Sequence, residues 1–356
     1  MRKSFKITAL ATIILVAFAQ IANCQNNRSQ ALEMAREAIS LMDNGKLDES
    51  IKLLEKAQKL DPDNILFPYE IAYANYLKEN YQNAIKILEK LTKRKDVTDL
   101  VFQLLGNSYS MSGNKKKALA TYDLGLKKFP NAGKLYLEKG TIYYMQKDYN
   151  KAISLYEKGI EVEPTFPSNY YRATLLYCNS TEEVWGMIYG EIFMNLERGN
   201  KRTEEISKLL FDTYKSEITF EDENSIAVSF SKNLVITDIN KLPFGIIYEP
   251  TLMLALVGEK SIDINSLDRI RTNFLNLYYE QKHNTNYPNV LFDYQKQIEK
   301  AGHLEAYNHW LLMKGDEDGF DAWLSENEEK WDKFIEWFSA NPLKLSSKNK
   351  FYRNQY

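Results

Sequence analysis

The 356-residue sequence contains only two cysteines, Cys24 and Cys178. Cys24 lies at the end of a segment that we expect to be removed, so only Cys178 is certain to remain in the folded part. An intrachain disulfide is therefore excluded there unless Cys24 survives. A chain of this length without disulfides must derive its stability from a buried hydrophobic core.

An excess of positive charge is also missing. The sequence has 46 lysines and arginines against 48 aspartates and glutamates, which gives a net charge of −2. Nucleic-acid binding rests on neutralising phosphates with many basic side chains. We therefore expect no nucleic-acid partner.

The N-terminal apolar run is too short to span a membrane. Ile7–Ala19 contains 13 residues, whereas a spanning helix needs about 20. Basic residues precede the run, and Ala22-Asn23-Cys24 offers small residues for cleavage before Gln25. This pattern predicts a signal peptide over residues 1–24 and an exported protein.

Two other interpretations of this segment remain open. Ile21-Ala22-Asn23-Cys24 is similar to a lipobox, in which Cys24 would be lipidated after cleavage, although Asn23 departs from that pattern. An uncleaved anchor is the third possibility. We expect the protein to be periplasmic or lipid-anchored to an envelope membrane, with no other membrane contact.

Motifs for catalysis, cofactors and metals are missing. The sequence has no G-x-S-x-G, Walker-type or G-x-G-x-x-G pattern, and His303 and His309 are too far apart for an H-E-x-x-H site. We therefore predict no cofactor, no metal and no enzymatic activity. The alternative is an enzyme or carbohydrate-handling protein with its site in residues 201–356. The side chains to test for that alternative are His303, Glu305, His309 and Asp316.

What the sequence does contain is a 34-residue repeat rich in tyrosine. Phe102-x2-Leu105-Gly106-x2-Tyr109 returns one repeat later as Tyr136-x3-Gly140-x2-Tyr143. The same spacing relates Ala118 to Ala152, Tyr122 to Tyr156 and Pro130 to Pro164.

This period and these residue types resemble the tetratricopeptide (TPR) repeat, a helix–turn–helix unit. The resemblance implies an all-α solenoid of helical hairpins over residues 31–200. Its units would be 31–64, 65–98, 99–132 and 133–166, with a degenerate fifth unit at 167–200. Small residues such as Gly106 would lie where two helices cross, and large ones such as Tyr122 would fill the space around the crossing.

Residues 201–356 are not assigned to a family. Their periodicity predicts a mostly helical region, with a short possible β-hairpin within 219–247 and a last helix over Phe320–Ala340. The preceding helix, Val184–Glu197, is apolar on most sides and should be a buried junction. We expect an independent all-α domain after it, and a diverged continuation of the hairpins is the alternative.

The resemblance also implies a concave groove lined by the first helix of each unit. The predicted groove residues are aromatic, amide and methionine side chains: Tyr69, Tyr73, Tyr76, Asn107, Met111, Tyr144, Met145 and Tyr171. The basic clamp with which some TPR proteins grip a terminal carboxylate is absent. The alternative is that the C-terminal half fills the groove, so that these residues are core.

Together these patterns favour a protein–protein interaction scaffold or adaptor of the bacterial envelope that binds a partner segment in the groove. A constitutive subunit of a larger envelope complex is the remaining alternative. The identity of the partner does not follow from the sequence.

Overall fold

The computed structural model describes residues 25–222, 225–232 and 242–355. The predicted signal peptide and Cys24 lie outside these residues. The described part of the chain is all-α apart from one short hairpin. It divides into two compact units, one ending at Phe129 and one beginning at Pro130.

The first compact unit is a series of helical hairpins. It contains α1 (25–43), α2 (Leu47–Leu60), α3 (Leu66–Leu77), α4 (Tyr81–Leu91), α5 (Asp99–Met111) and α6 (Lys115–Lys128). Consecutive helices from α2 to α6 pack against each other. Two helices fall in each of the first three predicted repeat units, except that α1 begins at residue 25, six residues before the first unit.

The 34-residue period is visible in the backbone of the turns. The residues in left-handed conformation between paired helices are Gly45, Glu79, Gly113 and Lys147, with φ of +74°, +60°, +85° and +62°. Glycine adopts this conformation freely, whereas glutamate and lysine do so at a cost. The turn is therefore kept even in the two units whose sequence lacks the glycine.

The helix crossings depend on a glycine beneath a tyrosine ring. A Cβ atom added to Gly106 would lie 2.1 Å from the ring of Tyr122, and one added to Gly140 would lie 2.5 Å from Tyr156. Both rings are almost fully buried. The predicted pairing of small and large residues is thus present in both repeats, and it lets the two backbones approach closely.

The second compact unit contains the remaining elements. These are α7 (Gly133–Met145), α8 (Tyr149–Val162), α9 (Pro167–Tyr177), α10 (Glu183–Leu196), α11 (Lys201–Glu217), β1 (Ile218–Asp222), β2 (Ser225–Val228), α12 (Gly245–Ala255), α13 (Ile264–Glu280), α14 (His283–Asn286), α15 (Val290–Lys300), α16 (Leu304–Leu312), α17 (Glu317–Glu326) and α18 (Glu328–Ala340), followed by a 3-10 turn (Arg353–Gln355).

Helix α10 is the centre of the second unit, as its apolar sequence predicted. Every residue from Glu183 to Asn195 is buried. Its one buried carboxylate in mid-helix, Glu191, accepts hydrogen bonds at Oε1 from Arg271, Gln295 and Tyr307 at 2.5–2.8 Å. These partners come from α13, α15 and α16, so this charge joins four helices.

Residues 201–356 do not form the independent domain expected from the sequence. One continuous hydrophobic core extends from Ala152 in α8 to Phe351 near the C-terminus. The reason is the burial of α10, since a helix that is apolar on all sides needs neighbours on all sides. The helices after α10 supply those neighbours.

Two local predictions can be compared directly with the structure. The hairpin is present, with β1 and β2 antiparallel and Ile218 opposite Val228. The last helix is not continuous, because the chain turns at Asn327 between α17 and α18. The turn lets Trp331 of α18 pack edge-on against Phe320 of α17, with ring centroids 5.3 Å apart.

We predict that Gly106→Ala destabilises the protein by about 1–3 kcal/mol, because the added methyl group overlaps the Tyr122 ring. The measurement is a urea-unfolding double-mutant cycle with Tyr122→Leu, whose smaller side chain leaves room for the methyl group. The cost of Gly106→Ala should shrink in the Tyr122→Leu background. Strictly additive effects would contradict this account of the crossing.

Candidate binding surfaces

In the first compact unit the exposed apolar side chains lie on the first helix of each hairpin. Among its described residues seven large apolar side chains are exposed, and six of them belong to α1, α3 and α5. The six are Leu32, Ile39, Tyr73, Leu77, Leu100 and Met111. They occupy positions 2, 9 and 13 of their 34-residue units. The seventh, Leu124, is on α6, a second helix.

Helix α3 shows how the sequence produces such a surface. Phe67, Ile71 and Ala74 are buried, while Tyr73 keeps 38% of its surface exposed. The helix is apolar on more than one side, and neighbouring helices cover only part of it. An exposed group of apolar side chains is typical of an interaction surface.

The predicted groove residues of the first unit differ in their exposure to solvent. Tyr73 and Met111 are exposed, at 38% and 57%. Tyr69 and Tyr76 are half-buried, and the Tyr76 ring packs edge-on against Tyr81 at 5.6 Å. Asn107 accepts a hydrogen bond from the buried Tyr122 hydroxyl. Its side chain therefore helps to fix the helix crossing.

The polar groups beside these tyrosines are poorly solvated. Burial, with Glu70 nearby, raises the pKa of Tyr69 to about 12. Burial also raises the pKa of the Glu70 carboxyl. Both effects follow because a partly buried site disfavours the charged form. The surface is thus mainly apolar and aromatic, with a desolvated carboxylate at its side.

In the second compact unit Tyr144 and Met145, at the end of α7, are exposed, at 41% and 61%. The C-terminal helices do not cover these two side chains. Tyr171 of α9 is in a different position, because its hydroxyl donates to Glu205 at 2.6 Å and its ring packs against Phe193. Tyr171 is therefore in contact with α10 and α11.

Tyr144 also borders a cavity of about 950 Å³ within the second unit. The walls are α8, the ends of α7 and α9, the segment before α10, and the C-terminal turn. The lining residues that matter below are Tyr144, Tyr149, Ile153, Glu157, Glu182 and Arg353.

Glu157 is the most buried charged side chain of this cavity, with 2% of its surface exposed. The hydroxyls of Tyr177 and Tyr189 both donate to its Oε1 atom, at 2.8 and 3.2 Å. Burial raises the pKa of the Glu157 carboxyl, and the two hydroxyls and Arg353 oppose that effect only in part. The site thus holds a carboxylate whose charged form is incompletely stabilised.

The side chains named for a possible enzyme make structural contacts. His309 stacks on Trp323 at 4.1 Å, and its ring nitrogens lie 2.8 Å from the Glu305 carbonyl and 3.2 Å from Asn265. Glu305 accepts hydrogen bonds from Trp323 and Lys330. His303 packs 5.6 Å from the Trp337 ring.

Asp316, the fourth of these residues, caps helices. It accepts from the backbone amides of Ile264 and Gly319, at 3.0 and 3.2 Å. None of the four residues lines the 950 Å³ cavity. Across the described ranges no group of three or more potential metal-ligating side chains comes together. Nor does any helix in those ranges have the length and apolar character needed to cross a bilayer.

The residues predicted from the sequence do not include all of the exposed apolar set of the first unit, nor the cavity beside Glu157. Leu32 and Ile39 belong to the exposed apolar set of the first unit, and the 34-residue period could have identified them from Leu66 and Tyr73. The cavity beside Glu157 had no such signal. Arg353, one of its walls, is far from Glu157 in the sequence, and only the fold brings them together.

Comparison with known families gives two matches. Models described as "Tetratricopeptide repeat" match residues 35–96 and residues 133–166. No curated protein matches the chain significantly.

Several solved structures are similar over about half of the chain. One is TTC0263, a thermophilic TPR protein of Thermus thermophilus, at 17% identity over 51% of this chain and 98% of that one, with a TM-score of 0.43. Another is PilF of Pseudomonas aeruginosa, at 14% identity over 54% and 86%, with a TM-score of 0.44. A third is YrrB, a TPR protein with an unusual peptide-binding site, at 18% identity over 49% and 89%, with a TM-score of 0.33. Likeness at this level carries no argument about function.

We predict that the contribution of Glu157 to the free energy of unfolding decreases as pH rises. Its pKa in the folded protein is above the ordinary value of 4.5, so the folded state binds the proton more tightly than the unfolded state. Stability from this group is greatest when it is protonated and decreases from about pH 4.5 upward through the raised pKa. Urea unfolding at pH 4.5 and pH 7 should show Glu157→Gln gaining stability relative to wild type at the higher pH. An equal difference at both pH values would contradict the assignment.

Proposed function

The chain is a tetratricopeptide repeat protein, and we propose that it acts in the bacterial envelope as an adaptor that binds a segment of a partner protein along the first helices of its repeats. Repeats of this family serve as scaffolds for protein–protein interaction. They stack into extended surfaces and need no catalytic group to function.

The observation that carries the proposal is the placement of exposed apolar side chains. In the first compact unit six of the seven lie on first helices, the side that lines the concave groove in this family. A random distribution would place about as many on second helices. Water contact with these side chains is unfavourable, and a bound segment would relieve it.

The chemistry of this surface defines the kind of segment it fits. Tyr73, Leu77 and Met111 offer an aromatic ring, a branched side chain and a flexible thioether. Aromatic residues are enriched among those that dominate binding energy, and methionine adapts to different ligand shapes. The partner segment should therefore present apolar side chains, either extended or on one face of a helix.

The location is part of the same proposal. The basic start, the 13-residue apolar run and the small residues before Gln25 support export. The lone cysteine of the folded part, Cys178, fits an exported protein that uses no disulfides. Lipidation at Cys24 would instead hold the repeats at a membrane surface.

We predict that Tyr73→Ala combined with Met111→Ala abolishes partner capture. Both side chains are exposed, so the double variant should stay within about 1 kcal/mol of wild-type stability. The measurement is affinity capture from the native host with quantitative mass spectrometry, followed by binding of the purified candidate. We expect at least a tenfold loss of the partner.

The matched control is Leu124→Ala, because Leu124 is similarly exposed, at 54%, but lies on a second helix. It should capture the partner as well as wild type does. A photo-crosslinking residue placed at position 73 should label the partner, whereas one at position 124 should not. Equal losses in both variants, or capture unaffected by the double variant, would overturn the proposed surface.

We predict that the mature protein begins at Gln25. Mass spectrometry of the intact protein from the native host measures this directly. A mass matching cleavage before Cys24 with added acyl chains would establish the lipid-anchored form instead. A mass that retains residues 1–24 would contradict both forms of processing.

A further inference from the structure

The cavity in the second compact unit is lined by Glu157, whose two tyrosine donors both contact the same carboxylate oxygen. Glu157 is only 2% exposed, and both tyrosine hydroxyls that contact it donate to Oε1. Neither hydroxyl donates to Oε2, and this oxygen is not one of the fully buried side-chain atoms that lack a hydrogen-bond partner in the described part of the chain. Because neither hydroxyl occupies Oε2, a charged donor that enters the cavity can form a charge-assisted hydrogen bond with this oxygen.

The other charged side chains that line the cavity are Arg353 and Glu182. Arg353, which also lines the cavity, pairs with Glu182 at 2.9 Å. The backbone N–H of Arg353 donates to Tyr189, which in turn donates to Glu157. With Glu157 ionised, the three charged side chains of the cavity (Glu157, Glu182 and Arg353) have a net charge of −1. A cation is therefore favoured there over an anion.

Two exposed aromatic side chains line the same cavity. Tyr144 and Tyr149 pack against each other with centroids 5.6 Å apart, and they keep 41% and 49% of their surface exposed. The face of a tyrosine ring attracts an ammonium or guanidinium group within about 6 Å. Exposed rings and a buried carboxylate in one cavity suit a long basic side chain, whose stem is apolar and whose end is charged.

We propose that this cavity binds a lysine or arginine side chain of the partner segment, with its charged end at Glu157 Oε2 and its stem against the rings of Tyr144 and Tyr149. This inference rests on the proposed function, since the basic side chain belongs to the bound partner. It adds a charge requirement to a partner otherwise selected by apolar contacts.

The raised pKa of Glu157 agrees with this arrangement. Burial disfavours its charged form, so a cation brought next to it gains more than it would beside a solvated carboxylate. An arginine would also supply parallel N–H donors, which match a carboxylate better than a single ammonium group does.

The test uses N-acetyl-arginine methylamide as the probe and the citrulline analogue, which has the same shape without the charge, as its control. Ile153 lines the cavity, so its methyl group, labelled with carbon-13 and assigned with Ile153→Val, reports binding by NMR. We expect a saturable shift of the Ile153 methyl signal with the arginine probe and none with the citrulline probe. Equal shifts with both probes would overturn the proposal.

Glu157→Gln should weaken arginine-probe binding about tenfold or more, because a neutral amide replaces the charged acceptor. The variant keeps an oxygen acceptor for Tyr177 and Tyr189. The matched control is Glu161→Gln, one turn further along α8 and outside the cavity; it should bind as wild type does. If Glu157→Gln fails to fold, Tyr149→Ala replaces an exposed ring and should weaken binding several-fold. Unchanged affinity in the folded variants would overturn the assignment.

This outcome can be separated from failure of the proposed function. Tyr73→Ala with Met111→Ala should leave arginine-probe binding unchanged. If the probe binds at the cavity but the double variant still captures the partner, the cavity proposal stands and the first-helix surface is rejected. If the double variant loses partner capture as expected but the probe does not bind at the cavity, only the cavity proposal is rejected.

Discussion

The burial of α10, at the end of the predicted repeat array, determines how the C-terminal helices pack. No hairpin of the array can bury its apolar face alone, and α10, the second helix of the predicted fifth unit, is buried from Glu183 to Asn195. Its buried Glu191 is paired with Arg271, and the two side chains are only 5% and 9% exposed. Removing one member of such a pair would leave a buried charge uncompensated. The C-terminal helices are therefore part of one core with the end of the array.

The contacts that hold the repeats together also shape the candidate sites. The Tyr109 hydroxyl donates to Glu89, and two repeats later Tyr177 donates to Glu157 in the same arrangement. In each case a tyrosine of a first helix is tied to an acidic side chain of the preceding second helix. The difference is that a second hydroxyl, from Tyr189, and the C-terminal turn enclose Glu157. A hydrogen bond that joins two helices elsewhere in the array is here part of the wall of a cavity.

The positions of the tyrosines show which features of the structure the 34-residue period predicts and which it does not. The 34-residue spacing predicted correctly that Tyr122 and Tyr156 fill the helix crossings beside Gly106 and Gly140. It placed Tyr73, Tyr144 and Tyr171 on one equivalent face. The structure leaves Tyr73 and Tyr144 exposed but sets Tyr171 against Phe193 and Glu205. Residues predicted to share this face differ in exposure because α10 and α11 cover the last of them.

The sequence by itself determined the helical hairpins, their period, the buried character of α10 and the presence of a short strand-forming stretch, because each depends on residues close together in the chain. Only the tertiary structure decided that residues 201–356 share a core with the array, that the chain breaks at Asn327, and that Arg353 meets the cavity of Glu157. These are contacts between residues far apart in sequence. No local pattern encodes them, because they depend on which apolar faces the preceding helices leave uncovered.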